Sequence, residues 1–375
     1  MRRIAVNAVL HRPNRGGVEV CIEGLVRGFS EAGLNFEVHV FASDSLVPPA
    51  TDRGLGSSGL IWHSISYSTR LERIAREQIL ALRHRSFSLW HCLGYLMPWF
   101  PPRGKRVVSI YDIIALTNPS LCTRANRAFF GLMLPRTIRN ADCIVVPSHY
   151  VKERVEERFP EAEGRLRVVP LPLRSAITAA RGSPPEGRPV HQADADGTGY
   201  LLYVGDLGPR KNIGFLLRAY AALPDTLRSR YRLKICGRTG EHRRRYERLA
   251  QELGILGQVD FGGYVPDGDL PACYRSARLL LHPSLEEGYG LPPLEAMALG
   301  TPAVVSDRGA LPEVAGTAGA IVSPLNVEEF SQVICRMLTD GRAYRQATAQ
   351  GREGVPRTTW ADYAREMGRI YAELV

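Results

Sequence analysis

Short apolar runs alternate along the whole chain with stretches of helical period. In the first half, residues 2–9, Phe36–Ala42, Leu60–Ser66, Leu89–Cys92, Val107–Ile110, Asp142–Pro147 and Arg167–Leu171 read as strands. Helical patterns fill Val18–Ala32, Thr69–Arg85, 123–139 and the segment from Ser148, a good N-cap residue, to Phe159. In the second half the strands are Tyr200–Gly205, Leu233–Gly237, Val259–Val265, Leu279–His282, Ala303–Ser306, Leu311–Val314 and Ala320–Pro324. A helix is expected over Ile213–Leu223, another after Gly290 and a last one from Thr358 to Val375. Strands that alternate with helices, with no run of hairpins, predict an α/β chain with parallel sheets in both halves. Residues 174–199, rich in Pro, Gly, Ala and charge, read as a linker. The expected division is 1–173, linker 174–199, 200–357, and a terminal helix 358–375.

Composition adjusts this picture only slightly. A chain of 375 residues is long enough for two cores. No apolar run approaches the ~20 residues of a membrane span. The opening MRRIAVNAVLHRP is short for a signal peptide and reads as the first strand. Seven scattered cysteines with no C-x-x-C pair suggest neither zinc nor a disulfide frame, and a reducing cytoplasm fits them. Of the net charge of +10, most lies in residues 1–173, which carry 23 basic and 15 acidic groups. The helix 69–85 brings five arginines beside an apolar face. Together these suggest an anionic acceptor such as a lipid diphosphate, or contact with an anionic membrane surface. Nothing points to nucleic acid.

Candidate chemistry concentrates in Ser284–Pro312, SLEEGYGLPPLEAMALGTPAVVSDRGALP. Glu287 falls on a loop at the carboxyl end of the strand Leu279–His282. Glu295 falls on the helix that follows, with Pro292 and Pro293 in its first turn and Gly300 as its stop. The amides of Tyr289, Gly290 and Leu291 precede the first intrahelical bonds, where the helix dipole favours an anion. A phosphate between two carboxylates able to hold hydroxyls outlines a nucleotide-sugar pocket. A second cluster follows the strand Tyr200–Gly205: Gly208-Pro209-Arg210-Lys211-Asn212. Arg210 offers a planar fork and Lys211 a compact charge, and both suit a diphosphate. In the first half, Asn14-Arg15-Gly16-Gly17 joins strand to helix, where small residues let backbone approach a ligand. It is not G-x-G-x-x-G, so dinucleotide binding is not read from it.

The Ser284–Pro312 stretch resembles the E-x7-E signature of the retaining family 4 glycosyltransferases, and Gly205 to Asn212 resembles their G-x-x-x-P-R-K-N segment. The resemblance covers most of the chain and is strongest over 200–325. It implies a GT-B fold, two Rossmann-like doubly wound parallel-sheet domains facing across a cleft. The second domain would bind the nucleotide sugar, GDP- or UDP-linked, and the first a saccharide, lipid-linked or small-molecule acceptor. Mannose is the favoured sugar. By the same resemblance, Glu287 touches the transferred sugar, and the Gly290–Leu291 amides, with Gly16 and Gly17, lie near the diphosphate. Glu295 holds ribose, the Gly262–Pro266 turn with Tyr264 and Val265 frames the base, and the terminal helix crosses back to the first domain. Arg210 and Lys211 would stabilise the leaving group. Gly205, Gly237 and Tyr289 complete the expected donor site.

Where the family usually has His-Asp, this chain has Tyr111-Asp112, and His91 is a second candidate polar contact. No D-x-D lies on a plausible metal loop, so no metal is expected. Two other readings stay open: a non-catalytic nucleotide-sugar-binding scaffold, and a sugar-nucleotide epimerase on the same fold. A phosphorylase-like enzyme would need a pyridoxal lysine, and none of the four lysines suits it. A cytoplasmic protein, peripheral at the inner membrane face, is the location these features suggest.

Overall fold

A computed structural model describes residues 2–11, 16–47, 59–181, 199–238 and 242–375. Asn14 and Arg15 of the glycine turn, residues 48–58 of the first long loop and 182–198 of the expected linker lie outside them. The chain forms two compact units, Met1–Pro172 with Thr358–Val375, and Leu173–Arg357.

Among the described residues the first unit holds a seven-stranded parallel sheet: β1 Arg2–Ala8, β2 Phe36–Ala42, β3 Leu60–Ser64, β4 Leu89–Cys92, β5 Lys105–Ser109, β6 Cys143–Val146 and β7 Leu166–Val168, in the order β3-β2-β1-β4-β5-β6-β7. The second unit holds six: β8 Gly199–Val204, β9 Tyr231–Cys236, β10 Val259–Gly263, β11 Ala277–His282, β12 Ala303–Ser306 and β13 Ala320–Val322, in the order β10-β9-β8-β11-β12-β13. Interior strands such as β4 and β6 are buried at every residue, as a sheet covered by helices on both faces demands. That is why they appear in the sequence as continuous apolar runs rather than alternations. Apolar clusters flank the second sheet, one around Tyr203, Tyr220 and Phe330, the other around Tyr274, Leu280 and Met297.

Two segments differ from expectation. Leu311–Ala315 is a short helix, not a strand. Pro312 lacks the N–H that a ladder needs but is at home in a first helical turn, and Leu311 and Ala315, four apart, bury one side. Ser175–Arg181, placed in the linker, is also a helix and belongs to the second unit. Fully buried Ile177 anchors it, and the Arg181 guanidinium donates to the carbonyls of Arg352, Val355 and Pro356. A composition rich in small residues gave no apolar period from which to read it.

The terminal helix Trp360–Leu374 starts from a capping box of Thr359 and Asp362 and belongs to the first unit. Trp360 lies against Gly24 on the helix Gly17–Glu31, where any Cβ would collide with the indole. Trp360 is 4% exposed. Replacing it by Ala should therefore destabilise the first unit by about 3–5 kcal/mol. Urea unfolding followed by circular dichroism checks this; an unchanged midpoint would mean that the helix contributes no packing.

Candidate functional site

In the second sheet the strand order reverses between β8 and β11. Connections leave these neighbours in opposite directions, and a crevice opens at their carboxyl ends. The two segments singled out by sequence follow these two strands. The Leu285 amide donates to the Arg210 carbonyl at 2.8 Å and joins the loops through backbone. A single 3-10 turn, Pro209–Lys211, ends at Asn212 in the left-handed region, with φ 57°. Asn tolerates that conformation, and its side-chain amide donates to the Pro324 carbonyl at 3.0 Å.

This turn aims both cations at one carboxylate. Arg210 Nη1 lies 2.7 Å from Glu287 Oε2, and Lys211 Nζ bonds Oε1. His282 Nε2, at the end of β11, also reaches Oε1, at 3.0 Å. Glu287 and Lys211 are both buried. Burial pushes the Glu287 carboxyl up, yet Arg210, Lys211 and the His282 hydrogen bond outweigh it and hold the group well below the usual carboxylate range. Lys211 is pulled down, first by burial and then by the Arg210 charge, against the attraction of Glu287. Burial also lowers His282, so a neutral imidazole donates from Nε2 to the carboxylate. Its ring stacks on Tyr203 at 5.8 Å. The Glu287 backbone is held as well, its carbonyl accepting from the Ala310 amide at 2.9 Å. Gly309 precedes that amide with φ 63°, and a Cβ there would meet the Glu287 backbone. His282 and Gly309 escaped the sequence reading; the position of His282 at the end of the strand feeding Glu287 was the available signal.

Glu295, on the helix Leu291–Ala298, has no exposed surface. Arg174 Nη1 and the Tyr274 hydroxyl both donate to its Oε2, at 2.7 and 2.8 Å. Oε1 is buried with no hydrogen-bond partner, an orphan acceptor. Arg174 and Tyr274 were not predicted, since only the fold brings positions so distant in sequence to this helix.

The predicted glycines line adjacent strand ends. The Gly205 amide donates to the Cys236 carbonyl, and the Gly237 amide to that of Gly263. With φ 147°, Gly237 passes so near the Gly205 carbonyl that no Cβ could fit. Tyr264 is exposed, with Val265 beside it packed partly on the core. Gly290 caps the helix that buried Leu291 begins, and Tyr289 is half-buried against the same core.

In the first unit, Gly16 is the N-cap of the helix Gly17–Glu31, and a Cβ at Gly17 would meet open space. Asp112 accepts from the Tyr95 hydroxyl at 2.8 Å and from the Ile114 amide at 3.2 Å. Tyr111 lies edge-on to Tyr95 at 5.4 Å, and burial raises its hydroxyl well above the ordinary range. His91 corrects its expectation as a site residue. It has no exposed surface, and both ring nitrogens are engaged, Nδ1 with the Tyr371 hydroxyl at 2.6 Å and Nε2 with Ser109 Oγ at 2.8 Å. Burial pushes its pKa down to about 3, so it is a neutral link between β4, β5 and the terminal helix.

The chain is similar to known proteins in sequence and in fold. The model described as "Glycosyl transferases group 1" matches residues 190–354, and "Glycosyltransferase Family 4" matches 15–174. The O-antigen chain mannosyltransferase B of Escherichia coli is 33% identical over 286 residues, covering 76% of this chain and 74% of that one. The MMP alpha-(1->4)-mannosyltransferase of Mycolicibacterium hassiacum is 32% identical over 259 residues, 66% of this chain and 59% of its own. Among solved structures, sucrose-phosphate synthase of Thermosynechococcus elongatus superposes with a TM-score of 0.75 at 22% identity, covering 100% of this chain and 99% of that one. WaaG, a glycosyltransferase involved in lipopolysaccharide biosynthesis, gives 0.75 at 18% identity, covering 98% and 99%. This chain therefore belongs to the family 4 (group 1) glycosyltransferases of the GT-B fold.

Proposed function

We propose that the protein is a retaining mannosyltransferase that uses a GDP- or UDP-linked donor and a saccharide acceptor, free or lipid-linked. The observation that carries the reading is the Arg210–Lys211–Glu287 cluster: two cations meet one buried carboxylate at the switch point of the second sheet. Charge of that sign suits a diphosphate, and the mannosyltransferase relatives favour the sugar. The Glu287 carboxylate, ionised at neutral pH, accepts from sugar hydroxyls. The orphan Oε1 of Glu295 suits a ribose hydroxyl.

In the proposed reaction the bond between sugar C1 and the phosphate oxygen breaks, and the acceptor oxygen bonds C1 on the face that the nucleotide leaves. The acceptor proton passes to the departing phosphate oxygen. Negative charge grows on the diphosphate as it leaves, and Arg210 and Lys211 are already in position to meet it, so solvent need not reorganise. These cations take the role that a metal would otherwise fill, and the activity is metal-independent. Among the described residues no helix is long and apolar enough to cross a membrane. The proposed site of action is the cytoplasm, at the inner membrane face where the acceptor is lipid-linked.

Kinetics separate the roles. Arg210→Ala and Lys211→Ala should each lower kcat by roughly 10²–10³, the scale of losing one preorganised electrostatic partner. Glu295→Gln should mainly raise the donor KM, because ribose binding is common to ground and transition states. Near-normal kcat in the two cation variants, with circular dichroism confirming the fold, would refute the leaving-group role. Binding of the nucleotide sugar with neither transfer nor slow hydrolysis would instead establish a scaffold. Activity should survive excess EDTA; loss restored by manganese would overturn metal independence.

The acid limb of stability offers a separate check. The Glu287 pKa is depressed on folding, so its contribution is complete above the unfolded value near 4.5 and is lost as pH falls through the lower folded value. The gap in melting temperature between wild type and Glu287→Gln should therefore be constant above about pH 5 and narrow below pH 4.5. A gap independent of pH would show that the carboxylate is not held ionised.

A further inference from the structure

The second unit carries a pair of thiols that the proposed reaction does not use. Cys236 ends β9, and Cys273 lies on the short helix Leu270–Arg275. The two are 37 residues apart in sequence, yet their Sγ atoms meet at 4.0 Å. Both are free thiols and both are buried, Cys273 with 8% of its surface exposed. The pair lies just beneath the surface: Gly262 on β10 is exposed, and a Cβ there would stand 3.6 Å from Cys236 Sγ. Because Gly262 has no side chain, a molecule as small as a peroxide has a short path to the sulfurs.

Three neighbours favour reaction at Cys273. The Cys236 thiol is in hydrogen-bonding contact with it. The Tyr200 hydroxyl, on β8, donates to the Cys273 carbonyl at 2.6 Å and lies 3.8 Å from its Sγ. Lys234, two residues before Cys236, sets its Nζ 5.1 Å over the Tyr200 ring. Together these neighbours, the Cys236 hydrogen bond first, outweigh burial and hold the Cys273 thiol below its ordinary range. The same hydrogen bond, and then burial, push Cys236 up. One sulfur is thus the nucleophile, and the other, in contact with it, the resolving thiol. Both also adjoin groups assigned to the donor. The residue after Cys273 is Tyr274, whose hydroxyl donates to Glu295 Oε2 at 2.8 Å. The Cys236 carbonyl accepts from the Gly205 amide at 2.9 Å, and Gly237 follows it in the chain.

We propose that Cys236 and Cys273 form a redox modification site, a reversible disulfide made by a peroxide, which weakens nucleotide binding by the second unit. In the first step the Cys273 thiolate attacks one peroxide oxygen and the O–O bond breaks. Cys273 becomes a sulfenic acid, and the hydroxide that leaves takes up the thiol's proton as water. In the second step the Cys236 sulfur gives up its proton and attacks Cys273 Sγ; the S–O bond breaks and a second water leaves. The sulfurs lose two electrons and the peroxide gains them. A disulfide holds its sulfurs about 2 Å apart, so closing the 4.0 Å separation draws the helix Leu270–Arg275 and the end of β9 together. Tyr274 moves with that helix, and the hydrogen bond that orients Glu295 is disturbed. The effect on nucleotide rests on the donor reading above; the disulfide itself does not.

The full chain, reduced with dithiothreitol and desalted, is treated with hydrogen peroxide, digested without reductant and mapped by mass spectrometry. The expected product is a peptide pair joining Cys236 to Cys273, about 2 Da lighter than the reduced peptides together and separated again by dithiothreitol. In Cys236→Ser, Cys273 should stop at the sulfenic acid and be captured by dimedone. A disulfide through the more exposed Cys122 or Cys335 instead, or Cys273 oxidised to a sulfinic acid beside an intact Cys236 thiol, overturns the site. Thermal shift with GDP and UDP then compares the reduced and oxidised chains. The nucleotide that stabilises the reduced chain should be needed at about tenfold higher concentration after oxidation, the scale of disturbing one hydrogen bond to a charged group. Peroxide should leave the nucleotide response of Cys273→Ser unchanged. If no cross-link forms, the proposal falls whatever the nucleotides do. If it forms and the nucleotide response is the same, the regulatory effect is overturned. If it forms and neither nucleotide stabilises the reduced chain, the donor reading falls and takes the regulatory effect with it.

Discussion

Everything in the second unit converges on one buried carboxylate facing two cations. Glu287 is held ionised in that buried position by Arg210 and Lys211, and buried Lys211 in turn relies on the Glu287 carboxylate. The cluster explains local features that otherwise look unrelated. Asn212 is left-handed so that the 3-10 turn stops with both cations aimed the same way. Gly309 has no side chain because the Glu287 backbone occupies its place. His282 stays neutral so that it can donate to the carboxylate without adding a third charge. The backbone bond between Leu285 and Arg210 makes the two loops one rigid piece.

Glu295 follows a different logic. Arg174 and Tyr274 saturate one oxygen and leave the other as an acceptor in a dry environment. A lone acceptor of this kind is well suited to a hydroxyl, whereas the doubly charged surroundings of Glu287 suit a phosphate neighbour. The eight-residue interval between the two glutamates thus separates two different electrostatic environments, on either side of the turn from loop to helix at Gly290.

The first unit has a strand-order reversal of its own, between β1 and β4. A cavity at the carboxyl end of its sheet is walled by Tyr95, Trp99, Phe129 and Phe130, and Arg73 pairs with Glu77 there. His91 shows how a polar residue one strand away can be structural: with both nitrogens bound to hydroxyls, it satisfies buried groups that join β4, β5 and the terminal helix. The Tyr-Asp pair at 111–112 likewise packs through Tyr95, which connects it with the cavity wall.

Periodicity and end signals made most of the architecture legible. Buried parallel strands are continuous apolar runs, and Ser148 and Gly300 mark helix ends by capping chemistry that is local in sequence. The Glu287–Glu295 and Arg210–Lys211 groups were legible for the same reason, since each is a compact string at a strand end. What the sequence by itself could not specify depends on contacts between distant segments. The helix Ser175–Arg181 exists because Ile177 finds a buried slot and Arg181 finds three carbonyls about 170 residues away. Arg174 meets Glu295 only once the sheet is wound, and His91 becomes core rather than site only when Tyr371 arrives from the far end of the chain. Burial, and the partner that makes burial tolerable, are properties of the folded molecule; local sequence specifies the groups, and the tertiary structure decides which charges face one another.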